Sequence, residues 1–396
     1  MEKNEKNMLT HSLILLLSIT CGVVVANMYY IQPIGTKVAA SLSVSTSAIG
    51  ILTMLTQLGY AVGLLFLVPL GDVVDRPKLI IRMSALSAIS LLAAFFAPSF
   101  TLFACASFLI GLLSIVPQVI IPYGAVLAGP KVRGKVMGTL LSGLLVGILL
   151  SRTISGLVAS LFSWRMIYLF ALVTVVLLTG LLYWKLPRTQ TIAKTEFSYL
   201  DSLKSLPHLV KSQRLLREAS ISGFFMFGTF SIFWSTLIFY ISSPVYHWGT
   251  FEAGILAVFG LSGAIAAPIV GRLADSYSER KIVGMGLVMQ TISFIALLVA
   301  GGHLIVMLLA IILLDVGNQF GQVANQTRVQ GLDETASNRN NTVFMFMYFI
   351  GGATGSLLGT AMWQHYGWVG VTGIGLVFQG CAFFFQTIVF RERTGE

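Results

Sequence analysis

Residues 71–78 read GDVVDRPK and place four charges between two apolar runs, 47–70 and 79–97, each long enough to cross a bilayer. A weaker copy of this pattern occurs at residues 271–275, GRLAD, followed by ERK at 279–281. Charged loops between spanning helices, repeated in the second half of a chain, are typical of a duplicated membrane protein, and transporters are common products of such duplications. The sequence therefore predicts two related membrane halves.

Long apolar segments recur along the whole chain. Of its 396 residues, 56% are hydrophobic and only 10% are charged, which argues against a soluble enzyme. A helix needs about 20 mostly apolar residues to cross a bilayer. The predicted spans, numbered 1 to 12 in chain order, are 13–34, 47–70, 79–97, 101–127, 136–161, 166–185, 219–243, 253–270, 283–301, 304–327, 342–363 and 369–390. The sequence therefore predicts an all-α membrane protein with twelve transmembrane helices in two pseudo-symmetric six-helix bundles.

Loop lengths divide the chain into three parts. Most predicted connections between spans are short, whereas residues 186–218 form one long polar segment. We therefore predict an N-terminal six-helix bundle at 1–185, a cytoplasmic linker at 186–218 and a C-terminal six-helix bundle at 219–396. Within the linker, the leucines at 200–206 predict either a short helix at the membrane surface or plain solvated chain.

The basic residues are distributed unevenly between the two sides of the predicted membrane. The chain carries 25 Lys and Arg residues against 15 Asp and Glu residues, which gives a net charge of +10. With the N-terminus inside, only Lys37 and Arg165 fall on the outer side, and only Arg152 falls within a span. Such asymmetry is the orientation signal of a multi-pass membrane protein with both termini in the cytoplasm. The lipid bilayer explains the positive charge, and no nucleic-acid partner is expected.

The loop between spans 2 and 3 resembles the signature G-x-x-x-D-R-x-G-R-R/K of the major facilitator superfamily. Gly71, Asp75 and Arg76 match this signature in place, and Lys78 and Arg82 supply nearby charge. The glycine that follows Asp-Arg in the signature is missing here. The resemblance covers essentially the entire chain and implies the major facilitator fold.

In that family the loop holds the cytoplasmic ends of the two halves together in the outward-facing state. The resemblance therefore implies a cytoplasmic gate formed by Gly71, Asp75 and Arg76, with Asp275 in the second copy of the loop. The alternative is that these charges only set the topology.

The end of span 1, residues 27–33 with the sequence NMYYIQP, resembles the twelve-helix multidrug and arabinose-efflux-permease-like group of the superfamily. This resemblance implies a transporter in the bacterial cytoplasmic (inner) membrane. Two signatures of drug–proton antiporters are replaced in this chain. Ser107 stands where span 4 of many antiporters has an arginine, and residues 147–152, GILLSR, lack the proline and later glycines of the span 5 signature.

Two charged residues are predicted well inside spans. A charge at the bilayer centre costs about 2.5–3.5 kcal/mol on insertion scales, so it is expected to face a cavity or a partner. These residues are Arg152 in span 5 and Asp315 in span 10. We expect Asp315 to carry a proton during transport and Arg152 to adjust its affinity for that proton. The alternative is a fixed structural ion pair.

Span 10 also has one polar face. Asn318, Gln319, Gln322, Asn325 and Gln326 occur at spacings that fall on one side of a helix with 3.6 residues per turn. In the superfamily, spans 1, 4, 7 and 10 line the central cavity. The resulting substrate-binding candidates are Asn27, Tyr30, Gln118, Tyr123, Trp234, Tyr240, Asn318, Gln319 and Gln322. The alternative is that the amides only bond neighbouring helices, at about 0.6 kcal/mol each.

Other chemistries leave little trace in the sequence. The five histidines lack metal-ligand spacing, the cysteines show no paired spacing, and no P-loop occurs. We therefore expect no metal, no cofactor and no enzymatic activity. The expected function is secondary active transport of a small organic molecule by a monomer, through proton-coupled efflux with alternating access. Proton-coupled uptake is the alternative within this class, and a non-transporting membrane receptor or membrane enzyme is the alternative from another class.

Overall fold

The protein is helical throughout the part of the chain that the structure covers. The computed structural model describes residues 10–128, 132–187, 199–274, 277–333 and 336–390. Within those ranges every regular element is a helix, and eleven helical segments are long and apolar enough to cross a bilayer. The predicted all-α membrane architecture is confirmed.

The first half of the chain contains spans 1 to 6. Spans 1 and 4 are each built from two successive helices, and the other four spans contain one main helix each. The helices are α1 (His11–Ala26) and α2 (Ile31–Leu42) in span 1, α3 (Thr46–Phe66) in span 2, α4 (Arg76–Phe96) in span 3, α5 (Phe100–Leu113) and α6 (Val116–Ala128) in span 4, α7 (Arg133–Leu161) in span 5, and α8 (Met166–Lys185) in span 6. A short 3₁₀ helix, Pro69–Asp72, follows α3.

The second half contains spans 7 to 12 and is preceded by one helix of the linker. The helices are α9 (Tyr199–Ser212) in the linker, α10 (Arg214–Ile241) in span 7, α11 (Thr250–Phe259) and α12 (Leu261–Ala274) in span 8, α13 (Glu279–Ala300) in span 9, α14 (Leu304–Gln330) in span 10, and α15 (Ser337–Phe384) in spans 11 and 12. A π-helical turn, Phe385–Val389, ends span 12.

Gly367 divides the last helix into two spans. The 48 residues of α15 would extend about 70 Å as one straight helix, more than twice the thickness of the hydrocarbon core of a bilayer. At Gly367 the backbone has φ of 59° and ψ of −147°, a conformation that strains any residue with a Cβ. The helix is broken there into spans 11 and 12, so the eleven long apolar segments correspond to twelve spans.

Span 1 is broken within its NMYYIQP motif. Pro33 lies in the first turn of α2 and has no backbone N–H to donate to the carbonyl of Tyr29. That carbonyl accepts the backbone N–H of Gln32 at 3.2 Å instead. Residues 27–30 form turns rather than regular helix, so the side chains on either side of the break do not follow one helical period.

Two pairs of spans join the halves at close range. Helix α3 of span 2 packs against α15 in span 11, and α7 of span 5 packs against α11 of span 8. A Cβ at Gly50 would overlap the side chain of Thr360, and one at Gly156 would overlap the backbone of α11. Thr153 Oγ1 also donates to the carbonyl of Gly254 at 2.9 Å. Small residues therefore let the halves approach each other, whereas the bundle boundaries at 185 and 219 stay a prediction.

The linker forms a helix, as one of the two sequence interpretations predicts. Leu206 of α9 is buried against the bundles. Tyr199 Oη donates to the carbonyl of Phe66 in the first half at 2.9 Å, and the guanidinium of Arg339 in the second half donates to Ser205 Oγ at 2.9 Å. Helix α9 therefore contacts both halves on one side of the membrane. We call this side the linker side and the opposite side the far side.

Candidate functional site

A cavity of about 610 Å³ lies between the two halves. Its walls come from spans 1, 2, 4, 5, 7, 8, 10 and 11, and it reaches the linker side at Arg76, Arg133 and Leu203. Its deepest residues on spans 5 and 10 are Arg152 and Asp315, near the middle of the membrane. A cavity of this size suits a small organic molecule.

Arg152 is held in place at the deep end of this cavity, away from the linker side. The residue is almost fully buried, with a relative exposure of 1%. Nε donates to Gln32 Oε1 on span 1 at 2.6 Å. The guanidinium carbon lies 4.3 Å from the ring centroid of Trp234, 4.9 Å from that of Tyr29 and 5.7 Å from that of Phe230. Aromatic faces thus replace water around this cation, whereas Nη2 has no hydrogen-bond partner within the described structure.

Arg152 and Trp234 together close the cavity toward the far side. Both residues line a second, much smaller cavity, whose other walls include Gln32, Leu237 and Ala253. Those residues lie farther toward the far side on spans 1, 7 and 8. The stacked guanidinium and indole therefore form the partition between the main cavity and the far side.

Asp315 lies at the same depth on span 10. Its relative exposure is 5%, and within the described residues its Oδ2 atom accepts no hydrogen bond. The carboxylate interacts electrostatically with Arg152, yet within the described structure no ion pair within 4.0 Å joins the two. Gly260 packs directly against Asp315, and a Cβ on that glycine would lie 3.0 Å from Oδ1 and 3.4 Å from the indole of Trp234. The absence of a side chain at position 260 lets spans 8 and 10 approach each other closely here, while the carboxylate still lines the cavity.

The amides of span 10 form a hydrogen-bonded wall with span 11. Asn318 Nδ2 donates to Tyr348 Oη at 3.0 Å, and Tyr348 Oη donates to Gln322 Oε1 at 3.2 Å. Gln326 Nε2 donates to Asn341 Oδ1 at 3.0 Å. All five residues line the cavity. These amides therefore bond a neighbouring helix and face the cavity at once, so both sequence interpretations describe part of their environment.

Three other polar residues, two on span 10 and one on span 4, differ in whether they line the cavity. Gln319 lines the cavity, whereas Asn325 is buried away from it and donates to Ser222 Oγ on span 7 at 3.3 Å. On span 4, Gln118 lines the cavity and donates to Tyr60 Oη at 3.0 Å.

Some residues predicted from the sequence lie outside the cavity walls. They are Asn27, Tyr30, Tyr123, Trp234 and Tyr240. Asn27 is buried at the end of α1, and the carbonyl of Tyr30 accepts a hydrogen bond from Ser155 Oγ at 2.6 Å. The ring of Tyr240 stacks on Trp368 with 3.8 Å between centroids. These five residues do not line the main cavity in this structure, although the indole of Trp234 faces both Arg152 and Asp315.

The predicted gate loop lies at the linker-side end of the cavity. Arg76 Nε donates to the carbonyl of Gly71 at 2.8 Å, and both residues line the cavity. Asp75 caps the N-terminus of α4, where Oδ1 accepts a backbone N–H at 3.1 Å. Tyr123 is within electrostatic range of Asp75 and Arg76. Asp275, the fourth predicted gate residue, lies outside the described residues.

Sequence reasoning missed several residues of the site. Tyr29 and Gln32 contact Arg152, Phe230 lies over it, and Tyr348 joins the amides of span 10. The first two belong to the NMYYIQP motif, but the break in span 1 between them removes the helical period that could have paired them. Tyr348 stands in the run FMFMYFIGG, where nothing distinguishes it from the packing residues around it.

The arrangement can bind charged and hydrogen-bonding groups. Among the described residues no group of three His, Cys, Asp or Glu side chains could hold a metal ion. The cavity instead offers one buried cation, one buried anion, a row of amides and several aromatic faces. Such a set of groups recognises an organic molecule by charge and shape.

Comparison with known proteins decides the family. The sequence model described as Major Facilitator Superfamily matches residues 17–355 and 246–396. The chain belongs to the major facilitator superfamily. Within this superfamily, the uncharacterized transporter YgaY of Escherichia coli O157:H7 is 37% identical over 363 residues, which cover 92% of each chain.

Two solved structures of major facilitator transporters share the fold. A bacterial homolog of the human lysosomal transporter Spinster, inward-facing and unoccupied, superposes with a TM-score of 0.77, covering 97% of this chain and 98% of that one at 13% identity. The nucleoside transporter NupG gives a TM-score of 0.74 over 96% of this chain and all of that chain, at 15% identity. The predicted superfamily and fold are confirmed, and the chain is a multi-pass membrane transporter rather than an enzyme.

Proposed function

We propose that this transporter exports a small organic molecule across the bacterial cytoplasmic membrane in exchange for protons, acting as a monomer by alternating access. The observation that carries the proposal is the position of Asp315. Among the described residues it is the single acidic side chain that lines the central cavity, and its Oδ2 atom lacks a partner. Ionisable groups inside a membrane protein mark ion pathways and proton relays.

The surroundings of Asp315 suit a group that gains and loses a proton. An ionised carboxylate is costly in a closed, dry cavity and tolerated in a hydrated one. The groups that face it are Arg152 from span 5, the indole of Trp234 from span 7 and Tyr348 from span 11. Alternate opening of the cavity to the two sides would therefore load a proton on one side and release it on the other.

Arg152 supplies a charge that does not change during this cycle. A guanidinium stays protonated in proteins, and Gln32 together with the aromatic faces holds it in one position. Its positive charge favours the ionised form of Asp315 from a distance. Because no ion pair locks the two in the described structure, Asp315 remains available to a proton or a ligand.

The orientation of the protein follows from its charges. The linker side carries Arg76, Arg133, Arg339 and the basic residues of α9, and positive loops stay in the cytoplasm. We therefore assign the linker side, with both termini, to the cytoplasm. In this assignment the cavity is open to the cytoplasm and closed outward by Arg152 and Trp234, and export is the direction that the NMYYIQP resemblance supports.

The remaining polar residues of the cavity would contact the substrate, and the loop at 71–76 would close it. We assign substrate contacts to Gln118, Asn318, Gln319 and Gln322, which line the cavity. The cytoplasmic gate would consist of Gly71, Asp75 and Arg76 with Asp275. Closing this gate while the outer partition opens would move the site from one side to the other.

Transport into everted membrane vesicles tests the proton role. A screen of organic compounds, with and without an imposed pH gradient, should identify one that accumulates only when the vesicle interior is acidic. Asp315→Asn should abolish this accumulation, whereas counterflow at substrate concentrations that saturate the site should remain, because counterflow needs no net proton movement. Asp201→Asn, on the exposed face of α9, is the matched control. Normal gradient-driven accumulation by Asp315→Asn would show that the proton is carried elsewhere.

A further inference from the structure

Two opposite charges lie at the deep end of the cavity, away from the linker side, and they do not form an ion pair in contact. Arg152 is 1% exposed and Asp315 is 5% exposed, so both are almost fully buried. Within the described structure, Arg152 Nη2 and Asp315 Oδ2 each lack a hydrogen-bond partner. Buried opposite charges normally pair and satisfy their remaining hydrogen bonds, because an uncompensated charge is expensive in a low dielectric. This pair leaves one free polar atom on each side.

Neighbouring residues account for the separation of the two charges. Gln32 anchors Nε of the guanidinium at 2.6 Å, and Trp234 stacks on it at 4.3 Å. On the other side, Gly260 packs directly against the Asp315 carboxylate, so closely that a methyl group at position 260 would lie 3.0 Å from Oδ1. The cation is thus fixed against spans 1 and 7, while the anion remains accessible from the cavity.

We propose that the substrate is a small zwitterion with an apolar body, whose carboxylate binds Arg152 and whose ammonium group binds Asp315. This inference rests on the proposed function for the location of the site. A simple anion would leave Asp315 uncompensated, a simple cation would leave Arg152 uncompensated, and a neutral molecule would leave both. A zwitterion supplies one acceptor for Nη2 and one donor for Oδ2, so it satisfies both free atoms at once.

The walls next to the two charges fit the apolar part of such a molecule. Tyr29, Phe227, Phe230, Tyr348 and Phe349 all line the cavity. Aromatic side chains offer large rigid surfaces to an apolar or aromatic group at low entropic cost. The arginines at the mouth of the cavity do not help to choose between charge classes of substrate, because the orientation rule already explains positive charge on the linker side.

This charge pattern also explains how the substrate and a proton would exclude each other. The ammonium group and the proton would bind the same carboxylate, and either one compensates its negative charge. The site would then hold the substrate or the proton, as exchange requires. Arg152, Trp234 and Tyr348 are the groups that face Asp315 in both cases.

Binding of matched compounds to the purified protein tests the charge class. The probes are the amino acids with apolar side chains and their dipeptides, each offered as the free zwitterion, as its methyl ester and as its N-acetyl derivative. The ester lacks the carboxylate charge, and the acetylated compound lacks the ammonium charge. At least one zwitterion should raise the thermal unfolding temperature and bind at least about tenfold more tightly than both of its derivatives, as expected for loss of a charged hydrogen bond.

Two variants assign the charges to their partners. In Arg152→Gln the zwitterion and its ester should bind equally, whereas the preference over the N-acetyl derivative should persist. In Asp315→Asn the zwitterion and its N-acetyl derivative should bind equally, whereas the preference over the ester should persist. Gly260→Ala should weaken binding of the zwitterion and leave binding of the N-acetyl derivative unchanged. Arg272→Gln, exposed at the end of α12, is the control that should change neither preference.

The outcomes separate this inference from proton exchange. Equal binding of zwitterions and their derivatives to the unmodified protein, or no binding by any zwitterion of the panel, overturns the charge class. If pH-driven transport of a compound that lacks one or both of these charges still depends on Asp315, the charge class is wrong and proton exchange stands. If the expected preferences appear but transport ignores the pH gradient, the charge class stands and proton exchange is wrong.

Discussion

The guanidinium of Arg152 lies over the indole of Trp234, with 4.3 Å between the guanidinium carbon and the ring centroid. The two residues belong to opposite halves of the chain, spans 5 and 7. Gln32, on span 1, fixes the guanidinium from the other direction. A cation–π contact between the halves is therefore part of the barrier between the cavity and the far side, and opening that side must separate it.

Trp234→Ala should weaken the outer barrier. A desolvated cation–π contact is worth about 2 kcal/mol, so its loss should raise the population open to the far side by at least about tenfold. A reporter cysteine at Leu237, which lines the small outer cavity, measures this change through its labelling rate with an impermeant thiol reagent. The experiment uses a background without the three native cysteines.

The control for this variant is Trp184→Ala, because Trp184 is 84% exposed on span 6 and touches neither cavity. It should leave the labelling rate at position 237 unchanged. An equal rate in Trp234→Ala and the unmodified protein would mean that other contacts, such as those of Gly156 and Gly254, hold the far side closed on their own.

The proposed orientation predicts which loops an external reagent can reach. A cysteine at Val245, in the exposed loop between spans 7 and 8, should react from outside intact cells. Val245 is preferable to His247 as a reporter, because His247 has a left-handed backbone with φ of 54°. Lys78 is also exposed to solvent, but a cysteine at this position should react only after the membrane is permeabilised. Labelling of position 78 in intact cells would reverse the assignment.

The sequence could predict the spans because hydropathy and loop charge act locally. Span 4, for example, was expected at 101–127 and is formed by α5 and α6 over Phe100–Ala128. The side-chain directions near the span 1 break could not be predicted in the same way. A continuous helix favours Asn27 and Tyr30 as one face, whereas the break ahead of Pro33 brings Tyr29 and Gln32 to Arg152.

The relation between the two intramembrane charges also lay beyond the sequence. The sequence predicts that isolated charges in spans face a cavity or a partner, and both Arg152 and Asp315 line the central cavity. The position of Arg152 depends on Gln32 from span 1, and the surroundings of Asp315 depend on the missing side chain of Gly260 in span 8. Such contacts between distant spans leave no periodic pattern in one sequence.

Asp75→Asn should separate the gate role of Asp75 from its structural role. Asp75 caps α4, and asparagine caps a helix about as well as aspartate does, so this variant should keep the thermal unfolding temperature. Asp75→Ala should lose about 1 kcal/mol through the lost cap. If the negative charge forms part of the cytoplasmic gate, both variants should transport slowly, and only the alanine variant should also be less stable.

The comparison needs two measurements, the initial rate of transport and the unfolding temperature in detergent. Asp201→Asn again controls for removal of an acidic group on the linker side. Normal transport by Asp75→Asn would show that the negative charge is not part of the gate, and Asp75 would then serve only helix capping and topology.

Glu218 should contribute more to stability than the exposed ion pair between Lys78 and Asp75. Its carboxylate lies 3.1 Å from Arg280 Nε and 3.2 Å from Arg328 Nη2, and the side chain is only 9% exposed. Arg280 also donates to the carbonyls of Gln386 and Phe390 at the end of span 12. One buried carboxylate thus compensates two guanidinium groups and ties the ends of spans 7, 9, 10 and 12 together.

Glu218→Gln keeps the shape of this side chain but leaves two buried cations without their counter-charge, which should cost about 3–5 kcal/mol. Lys78→Met is the contrasting variant, because Lys78 is 71% exposed and its ion pair with Asp75 spans 3.7 Å, so its loss should cost less than about 1 kcal/mol. The unfolding temperature in detergent should fall far more for Glu218→Gln than for Lys78→Met. Because Glu218 lies outside the central cavity, any folded Glu218→Gln protein should keep the substrate preferences of the unmodified transporter. Equal unfolding temperatures for the two variants would show that water or neighbouring carbonyls already compensate the two arginines.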